Sequence, residues 1–234
     1  MNFMRSVSKE GGIMKIIAHR GSSAKYPENT LLAFKKAIEA GADGIETDLR
    51  LTLDNEIILF HDGNLKKYMG VDAKPESLSI LELKEFDMGR GEIIPTLNEL
   101  LELVEGKVTL ILEIKYNAKT YKRLCEILIT QIENKLEWIE VSCFEDKVLE
   151  YIYTLNPNVR LHKLIKDASV LETDGMEEKY AYTEYFDINV KLQKIVLEKG
   201  LLERKKVIFW TVDKEDLTKE IESGLYGVMK DDVK

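Results

Sequence analysis

Short runs of β-branched and aliphatic residues recur along the chain, each followed by a stretch with helical period. No other feature restricts the fold as strongly. The runs lie at Lys15–His19, Gly44–Arg50, Val108–Lys115, Trp138–Ser142, Val159–Ile165, within Tyr180–Val190, at Val207–Val212 and at Gly227–Lys230. Helical spacing predicts helices over Thr30–Ala40, Leu97–Glu105, Tyr121–Glu133, Glu145–Leu155, Lys191–Leu202 and Lys214–Ser223, while Asp167–Lys179 is polar and carries no firm element. Strands alternating with helices call for parallel pairing through βα units. Eight such strands close as an α/β fold, the (β/α)₈ TIM barrel. Its usual size is roughly 250 residues and it forms from about 200, so the 234 residues here suffice. The competing arrangement is an open doubly wound sheet. It needs a glycine-rich turn after the first strand, and His19-Arg20-Gly21 offers a single glycine.

One segment breaks the rhythm. Between Asp48 and His61 there is no helical period and too little chain for a parallel crossover, so Leu49–Phe60 is expected to form an antiparallel hairpin. A two-residue turn at Asp54-Asn55 would set Asp48 directly opposite His61. Because side chains alternate faces along a strand, Glu46 would share the face of Asp48. The polar stretch that follows, about residues 63–95, reads as a small insertion after the second strand.

Composition removes several classes of function. The formal net charge is −8 and the pI about 5.2, with no basic face beyond the short run Arg204-Lys205-Lys206, so nucleic acid is not an expected partner. No stretch approaches the ~18 consecutive apolar residues of a membrane span. The two cysteines, Cys125 and Cys143, exclude a disulfide framework and suit a reducing, cytoplasmic setting. Nothing in the sequence speaks to oligomeric state. The chain is expected to be a single domain over 14–234, with 1–13 a leader or disordered tail. Lys9-Glu10-Gly11-Gly12 ahead of Met14 reads as a translated ribosome-binding sequence, which would make Met14 the natural start.

The charged residues fall where such a barrel places its chemistry, at the C-terminal ends of strands. His19, Arg20, Glu46, Asp48, His61, Glu113, Lys115, Trp210 and Asp231 all map there. Both faces of a parallel barrel strand are covered, so charge on it is costly unless compensated. Three carboxylates, Glu46, Asp48 and Glu113, converging at one rim therefore suggest a hard-cation site. Two imidazoles with Arg20 and Lys115 complete a set suited to phosphodiester cleavage. Cations would neutralise the phosphate while one histidine takes a proton and the other gives one. His162, inside the fifth strand, reads as an ordinary core or surface histidine.

In order and spacing, His19-Arg20-Gly21, Pro27-Glu28-Asn29-Thr30, Glu46-Thr47-Asp48, His61-Asp62, Leu112-Glu113-Ile114-Lys115 and Trp210-Thr211-Val212-Asp213 resemble the glycerophosphodiester phosphodiesterases. Pro95-Thr96-Leu97 and Ser142-Cys143-Phe144 are weaker landmarks. The resemblance runs from Met14 to Asp232 and implies a (β/α)₈ barrel that hydrolyses glycerophosphodiesters to sn-glycerol 3-phosphate and an alcohol. It implies one divalent metal, Mg²⁺ or Ca²⁺, on Glu46, Asp48 and Glu113, with His19 and His61 as acid–base pair and Arg20 and Lys115 at the phosphate. Trp210 would line the substrate pocket. The last motif departs from the family pattern, reading Val228-Met229-Lys230-Asp231-Asp232, and Asp213 stands where Asn is usual. Two other readings compete: a related barrel phosphodiesterase acting on lysophospholipids or phosphoinositides, or a non-catalytic binding barrel. The first should expose an apolar, membrane-facing rim; the second should have lost a histidine or carboxylate.

Overall fold

The computed structural model describes residues 13–212 and 217–233. Residues 1–12 of the expected leader and Asp213 therefore lie outside the described residues, as does the start of the last predicted helix.

Eight parallel strands form a closed barrel: β1 (Lys15–His19), β2 (Gly44–Leu51), β4 (Thr109–Ile114), β5 (Ile139–Cys143), β6 (Arg160–Ile165), β7 (Tyr185–Asn189), β8 (Lys206–Trp210) and β9 (Gly227–Lys230). Closure comes from β1, which pairs with β9 on one side and β2 on the other. Helices α1 (Leu31–Glu39), α4 (Leu97–Val104), α5 (Tyr121–Ile132), α6 (Asp146–Leu155), α9 (Gln193–Glu198) and α10 (Lys219–Gly224) occupy crossovers between strands. The ambiguous stretch before β7 holds two short helices, α7 (Ala168–Glu172) and α8 (Met176–Lys179).

Local chemistry sets the helix starts. The Thr30 hydroxyl accepts from Ala33 N at the head of α1, and Thr96 with Glu99 forms a reciprocal capping box at the head of α4. Apolar stripes on these helices pack against the outer face of the barrel, where Phe34, Leu100, Leu128 and Ile152 are fully buried. At Gly21 a side chain is excluded twice over. Its φ is +80°, and a Cβ would fall 2.7 Å from the backbone carbon of Ala33. The turn after β1 can therefore lie directly on α1.

The hairpin exists, but its register differs from the two-residue reading. β3 (Ile57–Leu59) pairs antiparallel with β2, with Leu49 opposite Leu59 and Leu51 opposite Ile57. This puts Phe60, not His61, across from Asp48, and Phe60 N donates to Asp48 O at 3.0 Å. The turn chemistry explains the shift. Thr52 Oγ1 accepts from Glu56 N, and Asn55 adopts a left-handed φ of 66°, giving a three-residue loop of Leu53, Asp54 and Asn55. Beyond the hairpin, residues 63–95 hold α2 (Lys66–Met69), α3 (Ile80–Leu83) and one 3₁₀ turn over an apolar cluster that includes Phe60, Leu65 and Leu83.

Inside the barrel, Ile17, Ile111, Tyr185, Ile208 and Met229 form an apolar layer. Beside it lies a charged group. His162 is fully buried, its Nε2 2.9 Å from Glu140 Oε2 and its Nδ1 2.9 Å from Asp187 Oδ1. Burial opposes the charge, but Asp187 and Glu140 outweigh it and push His162 up to about 9. Because this value exceeds the ordinary 6.5, the stabilisation is complete below that pH and is lost as pH rises through about 9. Thermal denaturation should accordingly show a stability loss between pH 7 and 10 that is smaller in His162→Gln. Each kcal/mol corresponds to roughly 2–4 °C in a domain of this size. Equal alkaline slopes in the two proteins would refute the assignment.

Candidate active site

Strand β2 carries the centre of the site. Glu46 and Asp48 sit two residues apart and are 3% and 0% exposed; Glu113, paired with Asp48 in register, comes from β4. One oxygen from each of the three carboxylates lies within 4.8 Å of the others.

Asp48 is surrounded by donors. Asn29 Nδ2 donates to Oδ2 at 2.8 Å, Arg20 Nε lies 3.3 Å from the same oxygen, and Lys115 Nζ lies 2.8 Å from Oδ1. Asn29 is itself positioned by Thr47 Oγ1, which donates to Asn29 Oδ1 at 2.7 Å. Burial alone would raise the Asp48 carboxyl; Lys115 and Arg20 overcome that and lower it to about 2. Glu46 receives far less help. Its Oε2 accepts from Arg20 N at 3.1 Å, while Oε1 is buried without a hydrogen-bond partner. Burial, and then the charge of Asp48, drive Glu46 up to about 8. Glu113 is also raised, mainly by burial, despite its contact with Lys115.

Each imidazole is held by a carboxylate through Nδ1. His19 Nδ1 lies 2.7 Å from Asp231 Oδ1, leaving Nε2 3.9 Å from Glu46 Oε2. His61 Nδ1 lies 2.7 Å from Asp62 Oδ1. Burial pulls both down. At His19 the hydrogen bond to Asp231 and the charge of Glu46 reverse the direction, whereas at His61 burial prevails. The backbone of His61 is anchored too: its carbonyl accepts from Arg50 Nε at 3.2 Å and Nη2 at 2.8 Å. Trp210, at the end of β8, donates from Nε1 to Asp187 O at 2.9 Å and lies edge-on to Phe144.

Arg20 and Lys115, expected at a phosphate, are here engaged with carboxylates, Arg20 also reaching Glu28 Oε1 at 3.0 Å. The pairings of His19 with Asp231 and His61 with Asp62 were not read from the sequence, although Asp62 adjoins His61. Nor was the Asn29 bond to Asp48, which joins residues 19 apart in the chain.

The chain has known relatives. The glycerophosphoryl diester phosphodiesterase family profile matches residues 19–234. The chain belongs to this family. It is 34% identical over 232 residues to a glycerophosphodiester phosphodiesterase of Caldanaerobacter subterraneus subsp. tengcongensis, covering 93% of both chains. It is 30% identical to the YqiK protein of Bacillus subtilis over 93% of its own length and 94% of that protein. The crystal structure of a glycerophosphodiester phosphodiesterase from Thermotoga maritima superimposes with a TM-score of 0.80 at 28% identity, covering 94% of this chain and 95% of that one.

An all-oxygen donor set in which Glu46 Oε1 and Asp48 Oδ1 are both buried without a hydrogen-bond partner fits a hard divalent cation. Without a cation, ionised Glu46 is a destabilising group. Glu46→Gln should therefore raise the melting temperature in EDTA by about 2–4 °C, the shift that ~1 kcal/mol produces in a domain this size. Added Mg²⁺ or Ca²⁺ should stabilise wild type and leave the variant unmoved. Equal stabilisation of both proteins would remove Glu46 from the ion site.

Proposed function

We propose that the chain hydrolyses glycerophosphodiesters to sn-glycerol 3-phosphate and an alcohol, with His19 and His61 as the acid–base pair. One observation carries this reading: two imidazoles, each tied through Nδ1 to its own carboxylate, border a buried cluster of three carboxylates and two cations. The relative from Caldanaerobacter, similar along nearly its whole length, bears the matching name.

Glu46, Asp48 and Glu113 would hold the divalent ion, Mg²⁺ or Ca²⁺. When bound, it neutralises phosphate charge and that of the transition state. Arg20 and Lys115, which lie among the same carboxylates, would contact the phosphate. Fixing Nδ1 leaves Nε2 of each histidine as the atom that moves protons. One Nε2 takes the proton of the nucleophile, either water or a glycerol hydroxyl whose cyclic phosphate water then opens, and the other delivers one to the leaving alkoxide. Asp231 and Asp62 hold the rings in orientation and stabilise whichever imidazolium forms. Trp210 offers a half-buried aromatic wall to the alcohol portion.

The reading includes one catalytic domain over 14–234 with the 63–95 segment inserted. No described helix is long and apolar enough to cross a membrane. Cys125 and Cys143 are both buried and unbonded to each other, which supports the cytoplasmic placement.

Release of glycerol 3-phosphate from glycerophosphocholine is the direct test. Activity should vanish in EDTA and return with Mg²⁺ or Ca²⁺. His19→Ala and His61→Ala should each lose roughly 10²- to 10⁴-fold in kcat, the usual contribution of a general acid or base. Full activity in either variant would sink the two-histidine mechanism.

A further inference from the structure

The Glu140–His162–Asp187 group lies apart from the carboxylate cluster on β2 and β4, and the mechanism above does not use it. Its geometry is demanding. Both ring nitrogens of His162 face carboxylate oxygens, Nε2 at 2.9 Å from Glu140 and Nδ1 at 2.9 and 3.0 Å from the two oxygens of Asp187. In either neutral tautomer one nitrogen would point its lone pair at a carboxylate, so two ionised carboxylates favour the imidazolium. Glu140 is completed by Arg160 Nη1 and Tyr185 Oη, each at 3.2 Å, and the Tyr185 ring stacks on His162 at 4.1 Å.

A network of this kind is a poor source of stability, because apolar residues of similar volume usually serve as well or better. The barrel already accepts such residues nearby, at Ile111, Ile208 and Met229. Its contact toward the rim runs through Asp187. The Asp187 side chain is gripped by both oxygens, and its carbonyl receives Trp210 Nε1 at 2.9 Å. Trp210 is also packed against the apolar layer and lies edge-on to Phe144 at 5.8 Å.

We propose that His162 is a positioning residue that, through Asp187, holds the Trp210 indole at the barrel mouth and thereby sets affinity for the alcohol portion of the substrate. The proposal rests on Trp210 lining the substrate pocket. A ring held in one orientation presents its face to C–H groups or to an ammonium head group without losing side-chain entropy on binding. His162 touches no reacting atom, so its loss acts on binding and spares the bond-breaking step.

The test uses steady-state kinetics of the metal-loaded enzyme on glycerophosphocholine. His162→Gln should raise KM about 3- to 10-fold, the effect of one lost positioning hydrogen bond, with kcat within about twofold. Trp210→Phe should raise KM by itself, and His162→Gln added to it should change KM by less than about twofold, because the two effects share one route. Should His162→Gln not fold, the apolar replacement Glu140→Met/His162→Phe/Asp187→Leu keeps the volume filled and is scored in the same way. An unchanged KM in the folded variant, an equal rise with and without Trp210, or a fall in kcat alone would overturn the relay. If Trp210→Phe leaves KM unchanged, the pocket reading fails as well. If it raises KM and the His162 variants do not, only the relay fails.

Discussion

Like charges forced into one dry place organise the upper half of this barrel. Glu46, Asp48 and Glu113 converge at 9% exposure or less, and each must be compensated or neutralised. The neighbourhood serves Asp48 first, with Arg20, Lys115 and Asn29, and leaves Glu46 with a bare oxygen. Carboxylate oxygens left without hydrogen-bond partners, Glu46 Oε1 and Asp48 Oδ1, suit the proposed reading of the cluster as a cation site. A protein selected only for stability would not keep them.

The same strand brings the histidines together. β1 accompanies β2 only as far as Glu46, where His19 pairs in register and Arg20 N donates to Glu46 O. From the other direction β3 runs down the same edge and ends at Leu59, and the next residue, Phe60, donates its N–H to Asp48 O. The gap between these two partners is where Arg20 and His61 enter. Arg50, two residues beyond Asp48, then grips the His61 carbonyl. A hairpin grafted on one strand thus completes a site that the eight-stranded barrel alone would leave open on that side.

Two buried charge systems share this barrel and differ in kind. The rim cluster is unbalanced and faces the open end. The Glu140–His162–Asp187 group is closed, with every oxygen and nitrogen it presents matched within the protein. Closed networks of this type specify geometry more than they stabilise.

Much of this was legible in the sequence because it is local. Strand and helix periods identified the eight barrel strands and the long helices. The two-residue spacing of Glu46 and Asp48 placed both on one face of β2. Short helices such as α7 and α8 escaped because one turn carries no measurable period. The hairpin register slipped by one because a three-residue loop with Asn55 in the left-handed region closes the turn, and nothing in the strand pattern distinguishes it from a two-residue turn. His162 passed as unremarkable because its partners lie on two neighbouring strands, 22 and 25 residues away. Asp231 belongs to His19 only because the last strand closes against the first, across 212 residues. Periodicity and spacing act over a few residues and so determine the elements and which residues share a face. Contacts between distant segments depend on how the sheet closes and how one turn is built, and only the tertiary structure decides those.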